Sequence, residues 1–217
     1  MIFWKKKSLH YQLNNELPLN TPLKELGFTV FDTETTGFAV GSKDRMIEIG
    51  AVQVEGLEVT DHTFQTYVNP ERDIPASIQT LTGIKPSDVE GAPLALEAIE
   101  SFYQFIEQYD SGGWVGHYLD FDIMVLKKEL GRHKLTFDEP TYIDTLDVIG
   151  YLNPSWDMRD LSHYAIQFGS KIFERHSALG DAQTTAHLLV ELLHHIGDRG
   201  KLTLGDLIEI TKKDNGY

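Results

Sequence analysis

Phe28, Thr29, Val30 and Phe31 form a β-branched and aromatic run that predicts a short buried strand. Residues 46–54 are apolar with neither face clearly polar, the pattern of a strand covered on both sides. Glu55-Gly56-Leu57-Glu58 then reads as a turn. Phe64, Thr66 and Val68 alternate with Gln65, Tyr67 and Asn69, which predicts a half-buried strand able to pair antiparallel with the one before it. After Pro93 the period changes: Ile99, Phe102, Tyr103 and Ile106 fall at i, i+3, i+4, i+7 and mark one face of an amphipathic helix. Ser111-Gly112-Gly113 ends it, and Trp114, Val115, Gly116 and His117 read as another strand. A helix over 121–130 turns Phe121, Met124, Val125 and Leu130 inward, and 141–145 reads as a short fifth strand. Leu161, Tyr164, Ala165 and Phe168 repeat the helical spacing, with Asp160 as N-cap and Gly169 past the end. Residues 181–196 form the last strong helix and 203–213 a short one.

Strand, strand, strand, helix, strand, helix, strand, helix, helix is the order of an α/β domain in which an antiparallel meander feeds parallel crossovers. At 217 residues the chain suits one well-buried domain. The expected division is a loosely packed lead-in over 1–26 containing Pro18 and Pro22, a domain over 27–197, and a tail over 198–217 with a short helix. No stretch reaches eighteen apolar residues, so a membrane-spanning helix is excluded and no membrane partner is expected. The start, MIFWKKKSLHYQL, lacks the long apolar run of a secretory signal. Zero cysteines removes disulfides, thiolate nucleophiles and cysteine-ligated zinc, and fits a cytoplasmic address. A net charge of −14 argues against a protein that coats nucleic acid with a broad basic surface. It leaves room for an enzyme that grips a few phosphates through cations bound by carboxylates.

The candidate chemistry lies in the acids. Asp32 and Glu34 share parity on the first strand, so both side chains leave one face, and Asp-x-Glu at a strand end offers oxygen ligands suited to Mg²⁺ or Mn²⁺. Locally, Gly37 and the surrounding turn formers explain the run equally well. Asp122, with Asp120 two residues earlier, follows the strand at 114–117, and Asp181 opens the 181–196 helix five residues after His176. Each of these acids could simply cap a helix. Capping does not explain why three sets of acids fall at strand ends or helix starts, the edge where open α/β sheets gather ligands. Four carboxylates there would repel one another unless cations bound them or some were protonated. Two cations could activate a water and stabilise the leaving oxygen of a phosphodiester, with His176 as proton acceptor.

The runs TVFDTETTGF, WVGHYLDFD and HSALGDA, with Ile143-Asp144-Thr145 between the last two, together resemble the DEDDh 3′–5′ exonuclease family, which includes the proofreading subunit of bacterial DNA polymerase III and ribonuclease T. The resemblance spans about residues 27–196. It implies a ribonuclease H-like fold, a five-stranded mixed sheet with helices on both faces. It also implies that Asp32, Glu34, Asp122 and Asp181 hold two divalent cations, with Asp32 bridging them, and that His176 is the general base. Thr35, Thr36, Gly37 and Phe38, Thr82 in the run Leu81-Thr82-Gly83-Ile84, and His117 with Tyr118 correspond to segments that contact the terminal nucleotide. The implied substrate is a single-stranded 3′ end, with a DNA polymerase as a partner class and 5′-mononucleotides as products. One position departs: the family often has His-Asn where this chain has His117-Tyr118, and Tyr118 could either stack on a base instead of hydrogen-bonding or simply pack against the protein.

Other signals carry less. There is no phosphate-binding glycine loop, His-Glu-x-x-His or Gly-x-Ser-x-Gly motif, and Ser177 beside His176 is no nucleophile pair. His187, His194 and His195 read as solvated, and Lys5, Lys6 and Lys7 as a basic terminus. Lys127, Lys128, Arg132, His133 and Lys134 form the internal basic cluster, placed to steer a strand toward the acids. The leading reading is an exonuclease acting on single-stranded DNA. An exoribonuclease trimming RNA ends and a non-catalytic polymerase-associated module are the alternatives.

Overall fold

A computed structural model describes residues 7–109, 111–156 and 160–211. In chain order the strands are β1 (Lys7–Ser8), β2 (Gly27–Thr35), β3 (Met46–Glu55), β4 (Glu58–Tyr67), β5 (Trp114–Gly116), β6 (Leu135–Thr136) and β7 (Tyr142–Asp144). The helices are α1 (Ala76–Thr82), α2 (Pro86–Val89), α3 (Ala95–Glu107), α4 (Leu119–Arg132), α5 (Thr145–Leu152), α6 (Leu161–Gln167), α7 (Ala178–Asp198) and α8 (Leu204–Thr211).

The main sheet has the order β4-β3-β2-β5-β7. β4 and β3 run antiparallel to their neighbours, whereas β2, β5 and β7 are mutually parallel. The mixed five-stranded sheet and the α/β class therefore agree with the sequence reading. β3 is buried along all but its last residue, as its unbroken apolar pattern requires. On one face, Phe28, Val30, Val52 and Val54 pack with Leu188, Leu189 and Leu192 of α7. On the other, Phe31, Ile49 and Ala51 pack with Ile99 and Phe102 of α3 and Leu126 of α4. Phe31, Phe102 and Trp114 form an aromatic knot there, Phe31 lying 5.2 Å and 5.1 Å from the other two rings. Each such buried side chain contributes roughly 1.5–3 kcal/mol.

α7 reaches the sheet at a glycine. A Cβ on Gly50 would lie 2.1 Å from the Leu179 amide nitrogen, so only glycine lets the first turn of α7 rest on β3. This contact carries residues 176–181 to the carboxyl edge of the parallel strands.

Several elements differ from the sequence reading. Residues 7–26 were expected to pack loosely, yet Leu13, Leu23 and Leu26 are buried and β1 pairs parallel with β6. Lys5 and Lys6 lie outside the described residues, as do 212 and 213 of the expected last helix. β2 runs on to Thr35, so Asp32 and Glu34 stand within a paired strand and the local turn reading does not hold. α4 begins at Leu119 with Tyr118 as N-cap, so Asp120 and Asp122 lie within its first turn and neither is the cap residue. α1, α2 and α5 were not anticipated. α5 follows β7 without a break and contains Val148, Ile149, Gly150 and Tyr151, none of them a strong helix former. α1 buries no side chain, so it has no apolar period to read.

Candidate active site

Asp32 and Glu34 project from one side of β2, opposite Gly50 and Glu48 of β3. They line a pocket of about 330 Å³ with Thr33, Thr35, Gly37 and Phe38 from the same run, His117, Tyr118 and Phe121 from the start of α4, and Arg175, His176 and Asp181 from the approach to α7. Asp122 lies just behind, 3% exposed, and accepts hydrogen bonds from the Thr33 amide (2.9 Å) and hydroxyl (2.6 Å). Its charge still acts on both Asp32 and Glu34. The four acids and the histidine singled out in the sequence are thus brought together.

Asp181, His176 and the start of α4 are aimed by specific contacts. Asp181 accepts from the His176 amide at 3.1 Å and pairs with the Arg175 guanidinium. His176 itself holds a left-handed backbone, φ 61°, a conformation that costs a non-glycine residue of order 1 kcal/mol or more and that clusters at functional sites. Asp144 accepts from the Tyr118, Leu119 and Leu146 amides at 3.2, 2.9 and 3.0 Å, tying the starts of α4 and α5 to the end of β7. Thr145 Oγ1 lies 2.8 Å from His117 Nδ1. The Ile143-Asp144-Thr145 run therefore has a physical role: it satisfies helix-start donors and orients His117.

The electrostatics record the crowding. Burial, then the charges of Asp122 and Glu34, push the Asp32 carboxyl well above its usual range, against the pull of Arg175. Burial and the neighbouring Glu48 raise Glu34 to about 7. Burial raises Asp122 to about 7 despite the Thr33 hydrogen bonds. Burial lowers His117 to about 4, so its imidazole is neutral at pH 7. Burial and the adjacent Arg175 also lower His176.

The donor set fits divalent cations. Glu34, His176 and Asp181 each offer a ligand atom, all within 4.8 Å of one another, and clustered carboxylates held partly protonated are relieved when a cation binds.

The nucleotide-contact residues divide. Thr35, Gly37, Phe38, His117 and Tyr118 line the pocket. Thr36 and Thr82 do not: the Thr36 hydroxyl lies 3.2 Å from Asp44, and the Thr82 hydroxyl donates to the Ile78 carbonyl at 2.9 Å. Gly37 is needed for the loop, since a Cβ there would lie 2.6 Å from the Asp44 carboxylate. Ile78, Leu81, Asp160, Leu161 and Arg175 also line the pocket. Of these the sequence reading had Leu81, in its Leu81-Thr82-Gly83-Ile84 run, Asp160 as a helix cap and Leu161 on the apolar face of that helix, but neither of the last two as a pocket residue. Arg175, next to His176, could have been sought as the cation that four acids require. Glu48 was also missed: it accepts from the Ala178 amide (2.9 Å) and Gln65 Nε2 (2.6 Å), pinning α7 to β3.

Comparison with known proteins agrees with this geometry. A family model described as "Exonuclease" matches residues 29–189. A DNA polymerase III subunit epsilon-like protein of Rhodobacter capsulatus is 34% identical over 196 residues, 89% of this chain and 27% of that protein. Among solved structures, exonuclease X in complex with 5′ overhanging duplex DNA superposes with a TM-score of 0.65 at 22% identity, over 85% of this chain and 99% of that one. The nuclease domain of 3′hExo, a DEDDh family member bound to rAMP, gives 0.69 at 19% identity, over 80% and 94%. These two likenesses bear on fold alone, the ribonuclease H-like arrangement expected from the sequence. A PolC-type DNA polymerase III of Caldanaerobacter subterraneus subsp. tengcongensis is 32% identical over 201 residues, 91% of this chain but only 14% of that protein. The chain thus spans 14% to 27% of the length of this relative and the epsilon-like protein. The family model is the firmer ground, because residues 29–189 contain every acid in the pocket, and on that match the chain belongs to the exonuclease family.

Proposed function

We propose that this chain is a 3′–5′ exonuclease that removes 5′-mononucleotides from a single-stranded 3′ end, DNA in the first instance. The observation carrying this reading is the convergence of Asp32, Glu34, Asp122, Asp181 and His176 on one pocket. Two divalent cations, Mg²⁺ or Mn²⁺, would be held by Asp32, Glu34 and Asp181, with Asp122 in support. When bound they supply Lewis-acid stabilisation of phosphoryl charge and a more acidic water. His176, its pKa lowered and its backbone held by Asp181, offers a neutral imidazole to take that water's proton. His117 presents a neutral ring whose Nε2 has no partner among the described residues, a donor or acceptor for the substrate. Phe38, Leu81 and Tyr118, 84%, 47% and 44% exposed, form an apolar rim against which a terminal base could stack.

In this reading the chemistry resides in residues 27–197. A polymerase is kept as partner class because relatives carry polymerase III names, and the absence of cysteine fits a reducing, cytoplasmic setting. An RNA substrate is the second reading, favoured by the rAMP bound to a structure of the same fold. The test is digestion of matched 5′-labelled DNA and RNA oligonucleotides with Mg²⁺ or Mn²⁺. A ladder of shortened products abolished by EDTA is expected, faster on DNA. Faster shortening of RNA would select the second reading, and no ladder on either polymer with either cation would remove both.

A further inference from the structure

Beside the pocket lies a larger groove, of about 780 Å³, between the turn at 40–42 and the outer face of α4. Three cations line it, Lys127, Lys128 and Arg132, against a single carboxylate, Asp120, in a chain of net charge −14. Two of the three are engaged. Lys127 pairs with Glu139 at 2.8 Å in a half-exposed contact. Arg132 pairs with Glu129 and donates to the carbonyls of Val40 (3.1 Å) and Asp44 (3.2 Å), so it builds the groove wall. Lys128 forms no ion pair among the described residues. Its side chain passes over Gly41, where an added Cβ would stand 3.8 Å from its Cε and touch nothing else.

Groove and pocket share the first turns of α4. Phe121 faces the pocket, whereas Asp120, Ile123 and Met124 face the groove. Phe121 meets the exposed Phe38 ring edge-on at 5.9 Å, forming a ridge between the two spaces. A strand whose 3′ end entered the pocket would leave over this aromatic ridge. The groove is the adjoining basic surface on a molecule whose excess negative charge repels a polyanion elsewhere.

We propose that this groove carries the sugar-phosphate backbone of the substrate strand on the 5′ side of the nucleotides in the pocket. The inference rests on the exonuclease reading. Recognition there is by charge and shape, not by base sequence. The lining has no Asn or Gln, Arg132 is committed to the protein, and Asp120 already accepts from the Tyr142 hydroxyl at 3.2 Å. The groove makes affinity rise with strand length, and Lys128 supplies the salt-sensitive part of that rise.

The test measures binding of fluorescent oligonucleotides of increasing length by anisotropy over a range of salt, with hydrolysis of the same series followed in parallel. Lys128→Glu removes a phosphate contact, and Gly41→Trp fills the groove from its open side without displacing a buried group. For the wild type, affinity is expected to grow with length beyond the few nucleotides the pocket holds. Lys128→Glu should weaken the long oligonucleotides on the order of tenfold at low salt and reduce the slope of log K against log salt by about one. Gly41→Trp should flatten the length dependence, and neither variant should alter base preference. Wild-type length dependence and salt slope in both variants would overturn the groove while leaving the exonuclease standing. Length-dependent binding lost in the variants, in a protein that hydrolyses nothing, would keep the groove and sink the exonuclease reading. Equal weakening at every length, the shortest included, would assign Lys128 to the pocket and overturn the proposal.

Discussion

Asp32 shows the tension at the residue scale: its carboxyl is pushed well above its usual range by burial and by its neighbours, so its ionised form costs the fold stability. Replacing it should therefore trade function for stability. Asp32→Asn is expected to abolish hydrolysis, yet raise the melting temperature in EDTA at pH 8, by about 2–4 °C for each kcal/mol of repulsion relieved. Scanning fluorimetry beside the oligonucleotide assay checks both halves, and a variant that melts lower while still cutting DNA would sink this account. His176 is only partly buried, so His176→Ala should leave melting nearly unmoved while lowering kcat roughly 10²–10⁴-fold. A near-wild-type rate would take it out of the mechanism. These residues were legible because each motif keeps its spacing within one short run. Glu48 was not, because its importance comes from the Ala178 amide on a distant helix, a contact that no local run displays. Arg175 stood beside His176, but nothing in the run alone pairs it with Asp181.

The start of α4 is the element on which the most depends. Asp144 satisfies two of its first donors and one from α5, and such caps are worth about 0.5–2 kcal/mol each. Asp144→Ala is expected to cost about 2 kcal/mol in urea unfolding. It should also lower kcat, because α4 carries Asp122 and the preceding turn carries His117. Lost stability with unchanged kcat would show the cap to be structural only. At Gly50, replacement by Val would drive α7 from β3. Overpacking costs typically 1–3 kcal/mol, and the same shift should misalign Asp181 and His176. α3, α6 and α7 could be read from their apolar periods. α1 and α5 could not, since α1 buries nothing and α5 continues an apolar strand with poor helix formers.

For the molecule as a whole, the acids couple folding to pH and to cations. Glu34 moves from 4.5 and Asp122 from 3.8, both to about 7. The folded state thus binds their protons more tightly than the unfolded chain does. Their contribution favours folding most below about pH 4, and it is lost as pH rises to about 7. In EDTA the melting temperature should accordingly fall across that window. Mg²⁺ or Mn²⁺ should restore it, with a gain that grows with pH because only ionised carboxylates bind the ion. Saturation to roughly a hundred times Kd would add about 2.7 kcal/mol. Calorimetry in buffers of different ionisation enthalpy should show protons released on cation binding near pH 6. A cation effect independent of pH would mean that these carboxylates are not the ligands.

The sequence alone determined the α/β class and the buried central strands, and it singled out the candidate acids. Period-2 and period-3.6 patterns report burial directly, and a carboxylate's chemistry travels with its residue type. Only the tertiary structure decided that β2 continues through both acids, that the lead-in packs onto the core, and that Thr36 and Thr82 turn away from the pocket. It alone placed Lys128 and Gly41 on one groove beside Phe121. The site and the groove depend on which surfaces meet across 80 or 90 residues of chain, as Thr33 meets Asp122, and no local pattern records a meeting between distant segments.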